Sequence, residues 1–237
     1  MNAALIADIF VWFVVFVFST TCHEAAHAWI SYLGGDKTAY EGGQVSLDPM
    51  PHIKREPFGM VILPVLSMVM MGWMLGFASA PYDPRWAQRH PKKYALMSLA
   101  GPTANFILAT IAFLVIWGLV SSGVLDLASR PVLDEIAVAP LGSGGSVNPT
   151  LAMLAKALSV LLGLNIVLGL FNLIPLPPLD GASVVEGFWP SATGGFYQRL
   201  RTSPGMSILG LLVAMNVFKY IGWPVLGFVI ALLHSSV

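Results

Sequence analysis

The chain has 237 residues, 56% of them hydrophobic and only 10% charged, and its 12 basic and 12 acidic side chains cancel. Soluble domains carry about 25% charged residues, so the composition excludes an ordinary water-soluble enzyme and points to an integral membrane protein. The absence of a basic tract argues against nucleic acid as a partner, and the single cysteine, Cys22, excludes an intrachain disulfide framework.

The first apolar segment covers about residues 3–33. It has no basic leader, carries Asp8 and runs directly into the motif described next, so it reads as a membrane helix and not as a cleaved signal peptide. Toward its end lies His23-Glu24-Ala25-Ala26-His27. A helix turns about 100° per residue, so the two histidines share a face one turn apart, where two imidazoles can bind one Zn²⁺. Glu24 lies about 100° around the helix from His23, poorly placed as a third ligand and well placed to take a proton from water. Catalytic zinc sites use three protein ligands and keep one position open, so a third ligand is expected from elsewhere in the chain. Cys22 points away from His23 and reads as a small packing residue. Ser19, Thr20 and Thr21 either bond their own helix backbone or line a polar inlet for water.

Gly34-Gly35 stops this helix. In the polar connector that follows, Gln44-Val45-Ser46-Leu47 alternates after a Gly42-Gly43 turn, which predicts a short strand. The next apolar segment is Phe58–Phe77. If it crosses the bilayer, the basic residues divide almost evenly between the two sides. If it is a re-entrant hairpin bent near Pro64 or Gly72, one side holds Lys37, Lys54, Arg55, Arg85, Arg89, Lys92, Lys93, Arg199 and Arg201, and the other only Arg130 and Lys156. The positive-inside rule then assigns the richer side to the cytoplasm, and the hairpin is the favoured expectation. Gly72 and Gly76 also have the Gly-x-x-x-Gly spacing that packs membrane helices.

Three further apolar stretches, Tyr94–Val120, Met153–Ile174 and Met206–Leu233, are each long enough to span. Ala78–Lys93 is a proline-containing basic connector, and Ser121–Pro149, rich in Gly, Ser and Pro, reads as a flexible loop. His52, His90 and His234 fall in or beside connectors. The stretch Asn172-Leu173-Ile174-Pro175-Leu176-Pro177-Pro178-Leu179-Asp180-Gly181 cannot continue a regular helix through its three prolines. At membrane depth such backbone is tolerated only inside protein or beside water, and an acid there is costly unless paired or bound to metal. Asp180 is therefore the candidate third zinc ligand, with Gly181 removing bulk beside it.

These motifs, with Ala100-Gly101-Pro102-Thr103-Ala104-Asn105 between them, resemble the site-2 protease family of intramembrane zinc metalloproteases. The similarity is strongest to small members without a PDZ or CBS domain, which also carry an extra apolar segment where this chain has Phe58–Phe77. One departure is Gly76-Phe77-Ala78-Ser79-Ala80-Pro81, which lacks the lysine that similar members often have there. The resemblance implies an all-α polytopic membrane protein, one domain over residues 1–237. It would have a site-2 protease-like core of three transmembrane helices, additional membrane segments and a short β element. It also implies one Zn²⁺ per chain on His23, His27 and Asp180, with Glu24 as catalytic base. The implied activity is peptide hydrolysis in or near the transmembrane segments of membrane-protein substrates, in a bacterial or archaeal cell membrane, with the site nearer the cytoplasmic face.

Asn172 is the first candidate for stabilising the oxyanion, then Asn105 and Asn165; each could instead join helices by hydrogen bonds. His52, present in similar small members, is a candidate for lining the cleft or gating metal access. An unwound substrate needs an edge to pair with, and residues 44–47 and 78–82 are the candidate edges. The alternative is a membrane zinc transporter or scaffold without protease activity, which gives Glu24 no role. A prenyl-peptide type of protease would need a glutamate as third ligand, and no such motif stands here.

Overall fold

The computed structural model describes residues 3–142, 145–202 and 204–237. Helix α1 (Ala3–Gly34) is 32 residues long, about 48 Å at 1.5 Å per residue. Its end carbonyl, Gly34 O, accepts hydrogen bonds from Trp86 Nε1 at 3.1 Å and Lys93 Nζ at 3.0 Å, which satisfies an orphan group and sets a cation against the negative end of the dipole. Two short helices follow, α2 (Thr38–Glu41) and α3 (Pro49–Arg55). The strand expected at 44–47 is instead a bend. The turn at Gly43 (φ 73°) and Asp48, whose side chain caps α3 by accepting from Met50 N, leave too few residues between them for a ladder.

The second apolar segment folds back on itself, as the hairpin expectation has it. A π-helical turn at Phe58–Ile62 runs into α4 (Leu63–Met71). Gly72 then takes a left-handed conformation (φ 78°) that only glycine adopts without strain, and the chain reverses. The return strand is extended, with Leu75 N donating to Ser67 Oγ at 2.8 Å and Phe77 N to Gly59 O at 3.1 Å. The flanks are tied as well: Ser79 Oγ donates to Glu56 at 2.6 Å, Arg55 Nε to Ser79 O at 3.0 Å, and Asp83 N to the buried Asp36 carboxylate at 2.9 Å. The bend falls at Gly72, one of the two positions named from the sequence.

Helix α5 (Pro84–Arg89), capped by Asp83, leads to α6 (Pro91–Ser121), which carries Pro102 internally. Where a flexible loop was expected, the chain forms an antiparallel pair, β1 (Asp126–Val132) and β2 (Glu135–Val138), with Leu127 opposite Ala137. Its own composition does not hold it. The Ser159 hydroxyl accepts from both Ile136 N and Ala137 N at 3.0 Å, Ile136 is fully buried, and Asp134 in the turn accepts from Lys156 Nζ at 2.6 Å and Trp12 Nε1 at 3.3 Å. The remaining helices are α7 (Pro149–Asn172), α8 (Asp180–Phe188), α9 (Pro190–Thr202) and α10 (Pro204–Ser235).

Among the described residues, four helices are long and apolar enough to cross a bilayer: Leu5–Gly34, Pro91–Ser121, Pro149–Asn172 and Ile208–Ser235. Helices α1, α6 and α7 pack on one another, α8 packs on α6, and α10 lies against α7. Small residues allow the close approaches, as where Gly169 faces the Phe106 ring. The architecture is an all-α polytopic membrane protein with one small sheet, placed elsewhere than the sequence suggested.

Candidate active site

Three elements meet at one point. From α1 come His23 and His27, from α6 the backbone around Gly101, and from the start of α8 comes Asp180. The Nε2 atoms of the two histidines lie 2.9 Å apart, and Asp180 Oδ2 lies 3.2 Å from His23 Nε2 and 3.3 Å from His27 Nε2. In a tetrahedral zinc site with metal–ligand bonds of 2.0–2.1 Å, ligand atoms stand about 3.3 Å apart. The triangle is therefore the right size for zinc.

Its chemistry fits as well. His27 Nδ1 lies 2.7 Å from the Met97 carbonyl, which can only accept, so Nδ1 carries a proton and Nε2 is the ring nitrogen turned to the site. Two imidazole nitrogens and a carboxylate oxygen thus converge on one point, an arrangement that a shared cation satisfies. A side chain at Gly101 would occupy this cradle: a Cβ there falls on Nε2 of both His23 and His27. The open direction lies on the aspartate side. The Asp180 side chain is 23% exposed, against 8% and 6% for His23 and His27.

Glu24, on the same turn of α1, is buried, and among the described residues its carboxylate has no hydrogen-bond partner. Pro-rich backbone delivers Asp180 to the site, and Gly181 lets α8 begin directly against the carbonyls of Leu173 and Ile174, where a Cβ would collide. One turn into α8, Ser183 Oγ accepts from Tyr94 OH at 2.7 Å and Arg201 Nη2 at 3.0 Å, and Arg201 pairs with Glu186. Burial works against the Arg201 charge, yet Tyr94 and Glu186 beside it hold its pKa above the ordinary arginine value.

The structure separates the other candidates. Asn105 Oδ1 lies 2.6 Å from His23 Nδ1, behind the ring and away from the ligand triangle. Asn165 lies behind Asn105, accepting from its amide at 2.8 Å. Asn172 gives its amide to the Leu168 carbonyl on its own helix at 3.1 Å. Asn105 and Asn165 thus join α6, α7 and α1, while Asn172 bonds along its own helix. His52 is buried in α3 with Nε2 3.1 Å from the Ser46 carbonyl and Nδ1 without a partner, and it is not in the ligand group. Cys22 stands outside that group too. Of the inlet candidates, Ser19 is fully buried and accepts from Asn165 Nδ2 at 2.9 Å. Neither residues 78–82 nor 44–47 form a strand. Two contributors had no letter to announce them: the Met97 carbonyl and the bare Cα of Gly101, the second sitting inside a motif whose function the sequence did not specify.

Comparison with known proteins gives a concordant result. The family model for peptidase family M50 matches residues 11–215. The chain is 30% identical over 214 residues to "Putative zinc metalloprotease YwhC" of Bacillus subtilis (strain 168), covering 90% of this chain and 84% of that one. It is 28% identical over 205 residues to "Putative zinc metalloprotease Rip2" of Mycobacterium tuberculosis (strain ATCC 25618 / H37Rv), covering 86% of this chain and 66% of the relative. No solved structure matches the chain.

Proposed function

The chain belongs to peptidase family M50, and from that premise we propose that it cuts peptide bonds inside the membrane, in or beside the transmembrane segments of other membrane proteins. The protein is a zinc metalloprotease with four helices of membrane-spanning character. The observation that supports the proposal is the place of the ligand triangle along α1. His23 stands 11 residues before the end of α1 at Gly34, about 16 Å along a helix long and apolar enough to span a bilayer. On this reading a scissile bond has to enter the apolar layer to be cut.

His23, His27 and Asp180 would hold the ion. Zinc bound there supplies Lewis acidity, which makes water a usable nucleophile near neutral pH. Glu24 accepts the proton that the attacking water loses and returns it to the leaving amine. Its freedom from other hydrogen bonds supports that role, since a base committed elsewhere would be weaker and less mobile. Burial of the two imidazoles excludes bulk water, while the more open Asp180 side admits the substrate carbonyl and the single water consumed. The substrate must arrive unwound, because helical carbonyls are bonded and covered.

The decisive experiment is co-expression with a panel of single-span membrane proteins. Wild type should release a truncated product from at least one of them. Glu24→Gln should retain one zinc and lose cleavage by about 10²–10⁴-fold. Full cleavage by Glu24→Gln, or zinc movement across vesicles without any proteolysis by wild type, would reverse the assignment.

A further inference from the structure

Behind His23 runs a chain of buried hydrogen bonds through three helices. Asn105 Oδ1 on α6 meets His23 Nδ1 at 2.6 Å, Asn105 Nδ2 donates to Asn165 Oδ1 on α7 at 2.8 Å, and Asn165 Nδ2 donates to Ser19 Oγ on α1 at 2.9 Å and to the Leu161 carbonyl at 2.8 Å. Ser19, Asn105 and Asn165 are each fully buried, so no solvent can substitute for a missing partner. We propose that this amide relay, anchored on the Leu161 carbonyl, dictates which ring nitrogen of His23 carries its proton and so keeps the other free for the metal. The proposal rests on the metal-site reading above for its purpose, but its geometry stands apart from it.

The polarity follows from one acceptor-only group. A backbone carbonyl cannot donate, so the Asn165 group facing Leu161 must be its NH₂. The hydroxyl of Ser19 could serve either way and decides nothing. Asn165 Oδ1 is then the acceptor toward Asn105, which must offer its own NH₂ and turn Oδ1 toward His23. Only an N–H at His23 Nδ1 satisfies that oxygen. Reversing any amide in the chain sets two donors or two acceptors face to face in a dry interior, at about 1–3 kcal/mol for each unsatisfied group. His27 reaches the same state more simply, from the Met97 carbonyl.

The relay matters because the alternative tautomer is attractive locally. A proton on His23 Nε2 would point at Asp180 Oδ2, 3.2 Å away, and at His27 Nε2, 2.9 Å away. That state closes the cradle on itself and competes with the ion. Asn105 and Asn165 are positioning residues that remove this competitor.

Two readouts test the proposal in purified full-length protein in micelles: zinc affinity by chelator competition, and the tautomer of ¹⁵N-labelled His23 in the metal-free state. Asn105→Ala should weaken zinc by about 10–100-fold and move the His23 proton from Nδ1 to Nε2. Asn105→Asp still presents an acceptor to His23 Nδ1 and, as the neutral acid, an O–H to Asn165 Oδ1 in place of the lost NH₂, and should restore both. A packing role alone would alter neither the tautomer nor the rescue. Asn165→Ala, which spares Asn105 but unties it, should give a mixed tautomer population and covers the case in which Asn105→Ala does not fold. A pure Nδ1–H tautomer with unchanged zinc affinity in either alanine variant overturns the relay, as does failure of folded Asn105→Asp to restore the proton to Nδ1. Wild type with the Nδ1–H tautomer but no proteolysis would sink the protease assignment and leave the relay standing.

Discussion

Gly101 touches the reaction centre through what it lacks. Because a Cβ at this position would coincide with Nε2 of both histidines, Gly101→Ala should displace the rings and abolish zinc binding while leaving the helix intact. Metal analysis of the purified variant checks this, with Gly118→Ala on the same helix as control, since nothing lies near a Cβ at position 118. Retention of one zinc by Gly101→Ala would show that the cradle is looser than its geometry implies. At this scale the sequence was legible wherever chemistry requires a particular letter. His23, Glu24 and His27 announce themselves through helical spacing, and Asp180 through the cost of placing an acid beside a broken membrane helix. It was not legible where the donor or acceptor is backbone, as at Met97 and Leu161, nor in which end of an amide is used. Asn105, read as either an oxyanion donor or a helix-joining residue, turns its oxygen to His23 and its amide to Asn165 on α7.

The hairpin of residues 58–77 shows how elements can disguise themselves. Twenty apolar residues satisfy the length of a membrane span, yet α4 ends at Met71 and Gly72 turns the chain back. The charge distribution favoured a bend that length alone concealed, because a re-entrant segment is the arrangement that would collect the basic residues on one side. The two arms can touch because Gly59 and Gly76 have no side chains: a Cβ on Gly59 would strike the Phe77 carbonyl, and one on Gly76 would strike the Phe16 ring and Gly59 O. Gly59→Val should therefore cost about 1–3 kcal/mol of stability, read as a lower unfolding midpoint in micelles with the zinc content of wild type. The sheet formed by β1 and β2 was hidden for the opposite reason. Its Gly-, Ser- and Pro-rich surroundings look like loop, and the groups that hold it, Ser159, Lys156 and Trp12, lie on other elements. Local composition cannot report a strand whose partners are supplied from a distance. Conversely, Gln44–Leu47 has the alternation of a strand but no neighbouring chain to pair with.

Across the molecule, the tied flanks of the hairpin lead us to expect Met50 and Tyr82 on one side of the membrane. Single cysteines at these positions, in a Cys22→Ala background, should be labelled together by an impermeant reagent from one side only, and the positive-inside rule places that side in the cytoplasm. Labelling from opposite sides would break the hairpin and the orientation at once. The three-helix centre also sets the order of events in the life of the molecule. His23 and Asp180 are separated by 157 positions, and a ribosome needs about 8–30 s to add that many residues. Throughout that interval the first helix carries its two imidazoles and its glutamate without the Asp180 carboxylate that completes the candidate ligand group. On the proposed ligand set, a nascent chain is expected to be inert toward itself and its neighbours until α8 has docked.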